Sequence, residues 1–99
     1  MITYEVTAIV EAHLAETYER YMRQQHIQDV LATGCFLGAD LASDAPGRYR
    51  MRYEASTGED LERYLATHAA RLRQDAVSHF PEGVVLSRAV WTVMQRWDA

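Results

Sequence analysis

Apolar and polar side chains alternate over the first ten residues of the chain. The apolar members of this series are Ile2, Tyr4, Val6, Ala8 and Val10. A period of two places successive side chains on opposite faces of an extended chain, so residues 2–10 are predicted to form a half-buried β-strand.

The apolar spacing then lengthens to that of a helix over residues 13–33. One stripe comprises Leu14, Tyr18, Tyr21 and Met22, and a second group comprises Ile27, Val30 and Leu31. Because the second group is out of phase with the first by about one residue, the pattern predicts a kink or a new short helix near Gln24–His26. Gly34 is typical of the position that follows a helix.

A β-hairpin is predicted next. Cys35–Ser43 and Arg48–Ala55 have the composition of strands, and Asp44–Gly47 between them forms a turn with Pro46 and Gly47 suited to its centre.

The last third of the chain predicts one more helix and one more strand. The capping box Ser56-x-x-Glu59 begins the helix, which extends to about His79. Its helically spaced residues are Leu61, Leu65, His68, Leu72 and Ala76. Residues 84–93 are rich in β-branched and aromatic side chains and form the fourth strand.

The order βαββαβ defines an α+β fold of the ferredoxin-like type, a four-stranded antiparallel sheet with two helices on one face. Residues 1–95 are predicted to form a single domain and residues 96–99 a C-terminal tail.

The third strand predicts which face of the sheet meets the helices. Tyr49, Met51 and Tyr53 share the helix-facing side, and Arg48, Arg50 and Arg52 share the other. Glu5 on the adjacent strand is the expected partner of Arg50 and Arg52. The open face is also expected to carry Ile9, one of Phe36 or Leu37, and one of Trp91 or Val90. An apolar area of this size favours a homodimer packed sheet to sheet.

Charge, cysteine content and hydropathy restrict the partners. The net charge of −4 lacks the basic footprint of a nucleic-acid or membrane binder. The single cysteine, Cys35, agrees with a reducing compartment, and no signal peptide or membrane span is apparent. We therefore expect a cytoplasmic protein.

Two stretches resemble the signature regions of a bacterial family, domain of unknown function 4286. These are HIQDVLATGCF at residues 26–36 and LERYLATHAARLR at residues 61–73. The family is similar in topology to the dimeric α/β-barrel superfamily, which includes small cofactor-free monooxygenases, isomerases and haem-degrading proteins. The resemblance implies this fold and a dimer, and it implies no particular reaction.

Four residues are candidates for ligand binding: His68, His26, Tyr53 and Tyr4. His68 lies within an apolar helical stripe, so it is either a core histidine bonded to a tyrosine or a polar group in a cavity between helices and sheet. His26, at the predicted helix break, either caps the second segment or acts in such a site. Tyr53 and Tyr4 belong to the helix-facing sides of their strands.

Other chemistry is weakly indicated. The four histidines and one cysteine lack the spacing of a metal site, so neither a metal nor a cofactor is expected. Cys35 follows a helix C-terminus, which disfavours a thiolate, and is interpreted as a buried structural thiol. If residues 47–53 bound RNA, their aromatic side chains would lie on the open face of the sheet, and the three arginines of this strand would be buried against the helices. RNA binding is therefore not favoured.

Two functions remain. One is a non-catalytic dimeric module that binds a small apolar or aromatic ligand or has a structural role. The alternative is a cofactor-independent enzyme of the monooxygenase or isomerase type, acting in a cavity between the sheet and the helices.

Overall fold

A four-stranded antiparallel sheet forms from the segments with alternating side chains. The computed structural model describes residues 1–99. Its strands are β1 (Ile2–Val10), β2 (Gly38–Ala45), β3 (Arg48–Ala55) and β4 (Val84–Thr92). Their order across the sheet is β2-β3-β1-β4, with β1 and β3 central and antiparallel throughout.

The helices follow β1 and β3 in the chain. After a 3₁₀ turn at Ala12–Leu14 come α1 (Ala15–Tyr21), a π-helical turn (Met22–His26) and α2 (Ile27–Leu31). The second helical segment comprises α3 (Gly58–Thr67) and α4 (Ala69–His79). This order and this sheet confirm the predicted α+β ferredoxin-like fold.

The π-helical turn accounts for the phase shift in the first helical segment. Tyr21 is buried just before the turn, Met22 at its first position and Val30 after it, and Ile27 and Leu31 pack against the same core. A π turn holds one residue more than an α turn, so it brings both apolar groups onto one face. The kink predicted near Gln24–His26 is confirmed as this wider turn.

The predicted continuous helix up to His79 is wrong at His68, where the backbone leaves helical geometry at φ −120°. Two successive buried residues of this segment, Tyr64 and Ala69, are five positions apart, which exceeds the 3.6 residues of a helical turn. The helix is interrupted between them, and both side chains are buried. Leu65, expected on the buried stripe, is instead 40% exposed.

Two element boundaries also differ from the prediction. The helix cap is Thr57, whose hydroxyl accepts a hydrogen bond from the Asp60 backbone N–H at 3.2 Å, and Ser56 precedes it. Strand β2 begins at Gly38 rather than Cys35, and it continues through a bulge to Ala45. Only Pro46 and Gly47 therefore form the centre of the hairpin turn, as their sequence predicts.

The open face of the sheet carries the arginines of β3. Arg52 bonds to Asp40 on β2 at 3.0 Å, and Arg50 lies 3.6 Å from the same carboxylate. Glu5, the expected partner, is opposite Arg52 in the register but makes no ion pair with it. The prediction that Glu5 pairs with Arg50 and Arg52 is wrong, because Asp40 on the other neighbouring strand forms ion pairs with both guanidinium groups.

Apolar side chains are exposed beside these arginines. Ile9 and Trp91 are 53% and 61% exposed, and Val85 projects from the same face of β4. Phe36, by contrast, is buried in the core with Tyr4 and Tyr53, so it is not on the open face. None of the helices combines the length and the apolar character required to cross a membrane.

Candidate functional site

A cavity of about 190 Å³ lies between the helices and the sheet. Eleven of its 15 lining residues are hydrophobic. The lining residues are Tyr4, Val6, Tyr18, Met22, His26, Met51, Tyr53, Arg73, Ala76, Val77, Phe80, Pro81, Val84, Leu86 and Arg88. The cavity is therefore an apolar chamber with a few polar groups, the usual form of a small-molecule site.

Strand alternation builds the floor of this cavity. Tyr4 and Val6 of β1 lie opposite Tyr53 and Met51 of β3 in the antiparallel register. Side chains two residues apart share a face, so all four point toward the helices. The rings of Tyr4 and Tyr53 are 6.1 Å apart, within the range of favourable aromatic pairs.

Two tyrosine hydroxyls of the cavity, those of Tyr18 and Tyr53, are neutral. Burial raises the pKa of Tyr18 to about 12 and also raises the pKa of Tyr53. These two phenols can therefore donate hydrogen bonds to a ligand but cannot supply negative charge. The hydroxyl of Tyr4 accepts a hydrogen bond from Arg73 Nη2 at 2.9 Å.

His26 is the histidine that lines the cavity. It ends the π-helical turn, and its Nδ1 atom is buried with no hydrogen-bond partner. Burial lowers the pKa of its imidazole, and this outweighs the opposing attraction of Asp29 and Asp75. Single π turns within α-helices occur frequently at functional sites.

A hydrogen-bonded cluster lies behind His26. Tyr21 donates its hydroxyl to Asp75 Oδ2 at 2.8 Å, and Gln25 Nε2 donates to the same oxygen at 3.4 Å. The Tyr21 ring is 5.8 Å from the His26 ring and 4.3 Å from the His79 ring. The cluster links the first helical segment to α4 and fixes the wall that carries His26.

The structure brings together three of the four residues singled out in the sequence. Tyr4, Tyr53 and His26 line the cavity, whereas His68 does not. His68 lies at the break between α3 and α4, partly exposed, with its Nδ1 atom 3.2 Å from Arg71 Nη2. The break turns it away from the direction that a continuous helix would give it.

The sequence analysis did not single out the two arginines that line the cavity, Arg73 and Arg88. A signal for Arg88 was present, because it alternates with Val84, Leu86 and Val90 on the helix-facing side of β4. Arg73 lacked such a signal, because an exposed arginine on an amphipathic helix ordinarily belongs to the solvated face. No group of three potential metal-ligating side chains occurs in the structure.

The fold and this cavity define a class, a ferredoxin-like α+β domain with an apolar chamber between its sheet and helices. Residues 1–94 match the family model described as Domain of unknown function (DUF4286), and the chain belongs to that family. The family predicted from the two signature stretches is thus confirmed. No curated protein sequence matches the chain.

Solved structures share the fold at low sequence identity. A monooxygenase from the gene ActVA-Orf6 of Streptomyces coelicolor, in complex with the ligand nanaomycin D, superposes with a TM-score of 0.75 at 12% identity, covering 99% of this chain and 91% of that one. SnoaB, a cofactor-independent oxygenase from Streptomyces nogalater, gives 0.68 at 16% identity, covering 96% and 94%.

A third solved structure, Rv0793 from Mycobacterium tuberculosis, gives a TM-score of 0.64 at 13% identity, covering 99% of this chain and 100% of that one. At these identities the likeness is one of fold.

Proposed function

We propose that this chain forms a homodimer and binds a small apolar or aromatic molecule in the cavity between sheet and helices, as a binding module without a reaction of its own. The observation that carries the proposal is the size and lining of the cavity. Its volume of about 190 Å³ exceeds the roughly 150 Å³ of an engineered apolar cavity that binds benzene. Tyr4, Tyr53 and His26 are the proposed ligand contacts.

The binding test measures thermal unfolding with small aromatic probes such as benzyl alcohol, indole and naphthol. A ligand at ten times its Kd stabilises the folded state by about 1.4 kcal/mol, which raises the Tm of a domain of this size by roughly 6–11 °C.

Ala76→Phe fills the cavity and should abolish that shift, because Ala76 lines it. Ala66→Phe, at an exposed position on α3, is the matched control and should keep it. An equal shift in both variants would place the ligand outside the cavity.

The proposed dimer packs the open faces of two sheets together. Its support is the exposed apolar group of Ile9, Val85 and Trp91 beside partly exposed, paired arginines, together with the resemblance to the dimeric α/β-barrel superfamily. Obligate interfaces of this kind bury at least about 2,000 Å² in total.

Light scattering at micromolar concentration should therefore give twice the 11.3 kDa mass of one chain. Trp91→Glu should yield monomers, and Leu65→Glu, on an exposed part of α3, should leave the mass unchanged. A monomer mass for the parent protein would remove the dimer from the proposal.

A cofactor-independent oxygenase is the second candidate. It is favoured by one observation: His26, whose Nδ1 atom is buried and unpartnered, lines the cavity together with the neutral phenols of Tyr18 and Tyr53. The imidazole of His26 could accept a proton from a bound phenol. An oxygen electrode would show uptake of dioxygen with naphthol that disappears in His26→Phe. Binding without uptake would leave the module as the function. The proposed compartment is the cytoplasm, which the buried free thiol of Cys35 suits.

A further inference from the structure

Positive charge without a carboxylate partner is concentrated at the cavity. The chain has ten arginines, and seven of them form ion pairs with Asp or Glu. The other three are Arg71, Arg73 and Arg88, and two of these line the cavity. No Asp or Glu is among the 15 lining residues.

The two cavity arginines lie on different layers of the fold. Arg73 belongs to α4 and Arg88 to β4, so one guanidinium stands on the helix side and one on the sheet side. Arg73 has a single hydrogen bond, to the Tyr4 hydroxyl, and Arg88 has none in the chain. A guanidinium has five N–H donors arranged to match a carboxylate. Both residues are exposed and therefore keep free donors for an anion in the cavity.

Arg88 acts electrostatically on one tyrosine that lines the cavity. Burial raises the pKa of Tyr18 to about 12, and the positive charge of Arg88 opposes that rise. The net charge of the chain is −4, yet no acidic side chain lines this cavity.

His26 adds a polar side chain to the wall of the cavity. Its Nδ1 atom is shielded from water and unpartnered, which costs free energy unless a ligand supplies the missing hydrogen bond. Among the groups that line the cavity, it is the polar atom most in need of a partner.

We infer that the ligand is a single-ring aromatic acid that carries a hydroxyl: the ring occupies the apolar chamber, the carboxylate meets Arg88 and Arg73, and the hydroxyl bonds to the imidazole of His26. The inference rests on the proposed binding function and names its ligand class. The cavity volume is somewhat larger than that of a benzene-binding cavity, so one ring fits within it.

The experiment compares four probes by isothermal titration calorimetry: meta- and para-hydroxybenzoate, benzoate, and neutral benzyl alcohol. A charge-assisted hydrogen bond should make benzoate bind about 10-fold or more tightly than benzyl alcohol. A neutral hydrogen bond should make at least one hydroxybenzoate bind about 2- to 10-fold more tightly than benzoate.

Two pairs of variants assign these gains to residues. Arg88→Gln should remove the advantage of benzoate over benzyl alcohol, whereas Arg71→Gln, at an unpaired arginine outside the cavity, should keep it. His26→Phe should remove the advantage of the hydroxyl, and His26→Gln, which retains a carbonyl acceptor, should restore part of it. His68→Gln is the histidine control and should change nothing. Thermal unfolding of each variant confirms that it is folded.

The possible results separate the two proposals. Equal binding of benzoate and benzyl alcohol overturns the inferred ligand class but leaves the cavity as a binding site. Carboxylate selectivity that survives Arg88→Gln and Arg73→Gln overturns the assignment to these arginines. If none of the four probes binds, including benzyl alcohol, the inference fails, and the test with Ala76→Phe decides the fate of the proposed function separately.

Discussion

Arg52 donates a hydrogen bond from Nε to Oδ2 of Asp40 at 3.1 Å, and its Nη2 lies 3.0 Å from the same oxygen. Asp40 also approaches Arg50 at 3.6 Å, so one carboxylate on β2 forms ion pairs with two guanidinium groups on β3. The pair lies on the open face of the sheet, where it fixes the edge strand β2 to the central strand β3.

Removing this shared carboxylate should cost more than removing Glu5. Asp40→Asn is expected to lower the free energy of unfolding by about 1 kcal/mol, as for a partly exposed ion pair. Glu5→Gln should cost less than about 0.5 kcal/mol, because Glu5 has no ion pair to lose.

Denaturant unfolding of both variants at one protein concentration checks this order. Equal losses would contradict the assignment of Asp40 as the partner. A loss of about 3–5 kcal/mol for Asp40→Asn would mean that a dimer interface desolvates the pair.

The burial of His26 gives the protein a pH dependence. Its pKa is lowered from 6.5 in the folded state, although Asp29 and Asp75 oppose the shift and the hydroxyl of Tyr21, nearby, is bonded to Asp75. Below pH 6.5 the unfolded chain binds this proton more readily than the folded chain, so His26 reduces stability as the pH falls through that window.

His26→Phe should remove this contribution. Its stability relative to the parent protein should rise between about pH 7.5 and about pH 5. Urea unfolding at both pH values measures the change, and His13→Gln, at an exposed histidine, is the control that should follow the parent. Parallel behaviour of His26→Phe and the parent would show that burial does not disfavour the charged imidazole.

Gly47 and Gly34 provide a matched pair of backbone tests. Both have positive φ, 75° and 76°. A Cβ at Gly47 would lie 2.7 Å from the backbone oxygen of Val10, whereas a Cβ at Gly34 would meet nothing within 4 Å. Gly34→Ala should therefore cost only the left-handed conformation, about 1–2 kcal/mol. Gly47→Ala should cost at least about 1 kcal/mol more, because the oxygen belongs to the main chain of β1.

Thermal unfolding of the two alanine variants gives the comparison directly. If Gly47→Ala is no less stable than Gly34→Ala, the turn can move away from β1. The hydrogen bond from the Val10 N–H to the Gly47 oxygen would then be weaker than its length of 2.8 Å indicates.

His68 should be of little consequence for stability and for binding. It is partly exposed, and its side chain makes its one hydrogen bond to Arg71. His68→Ala is expected to cost less than about 1 kcal/mol and to leave the ligand-induced rise in Tm as it is in the parent. A loss of several kcal/mol would instead indicate a core histidine, and a lost ligand response would place it in the site.

The sheet was the most predictable part of the fold. Residues 2–10 and Arg48–Ala55 form strands as predicted, because alternation of period two and the Pro46-Gly47 turn specify both extent and register. The helix break at His68 had no such signal. Neither Gly nor Pro is present there, and the apolar stripe continues past it to the buried Leu72.

The residues that line the cavity were predictable only in part. Tyr4 and Tyr53 follow from strand alternation, and His26 follows from the phase shift at the helix kink. Arg73 is an exposed arginine on α4, and its residue type and position gave no indication that it lines the cavity. Choosing between Ser56 and Thr57 as the cap was equally beyond the sequence, since each is a hydroxyl residue followed three positions later by an acid.

Because of the π-helical turn, the burial of the correct side chains depends on the number of residues between β1 and β2 as well as on which residues they are. Deleting Gln24, whose side chain is exposed, would let α1 and α2 join into one uninterrupted helix. Each residue of an α-helix turns the chain by about 100°, so either Tyr18 or Val30 would rotate out of the core. In an alignment of family members, a one-residue gap within Met22–His26 would therefore mark a chain whose helix presents a different side chain to the cavity in place of His26.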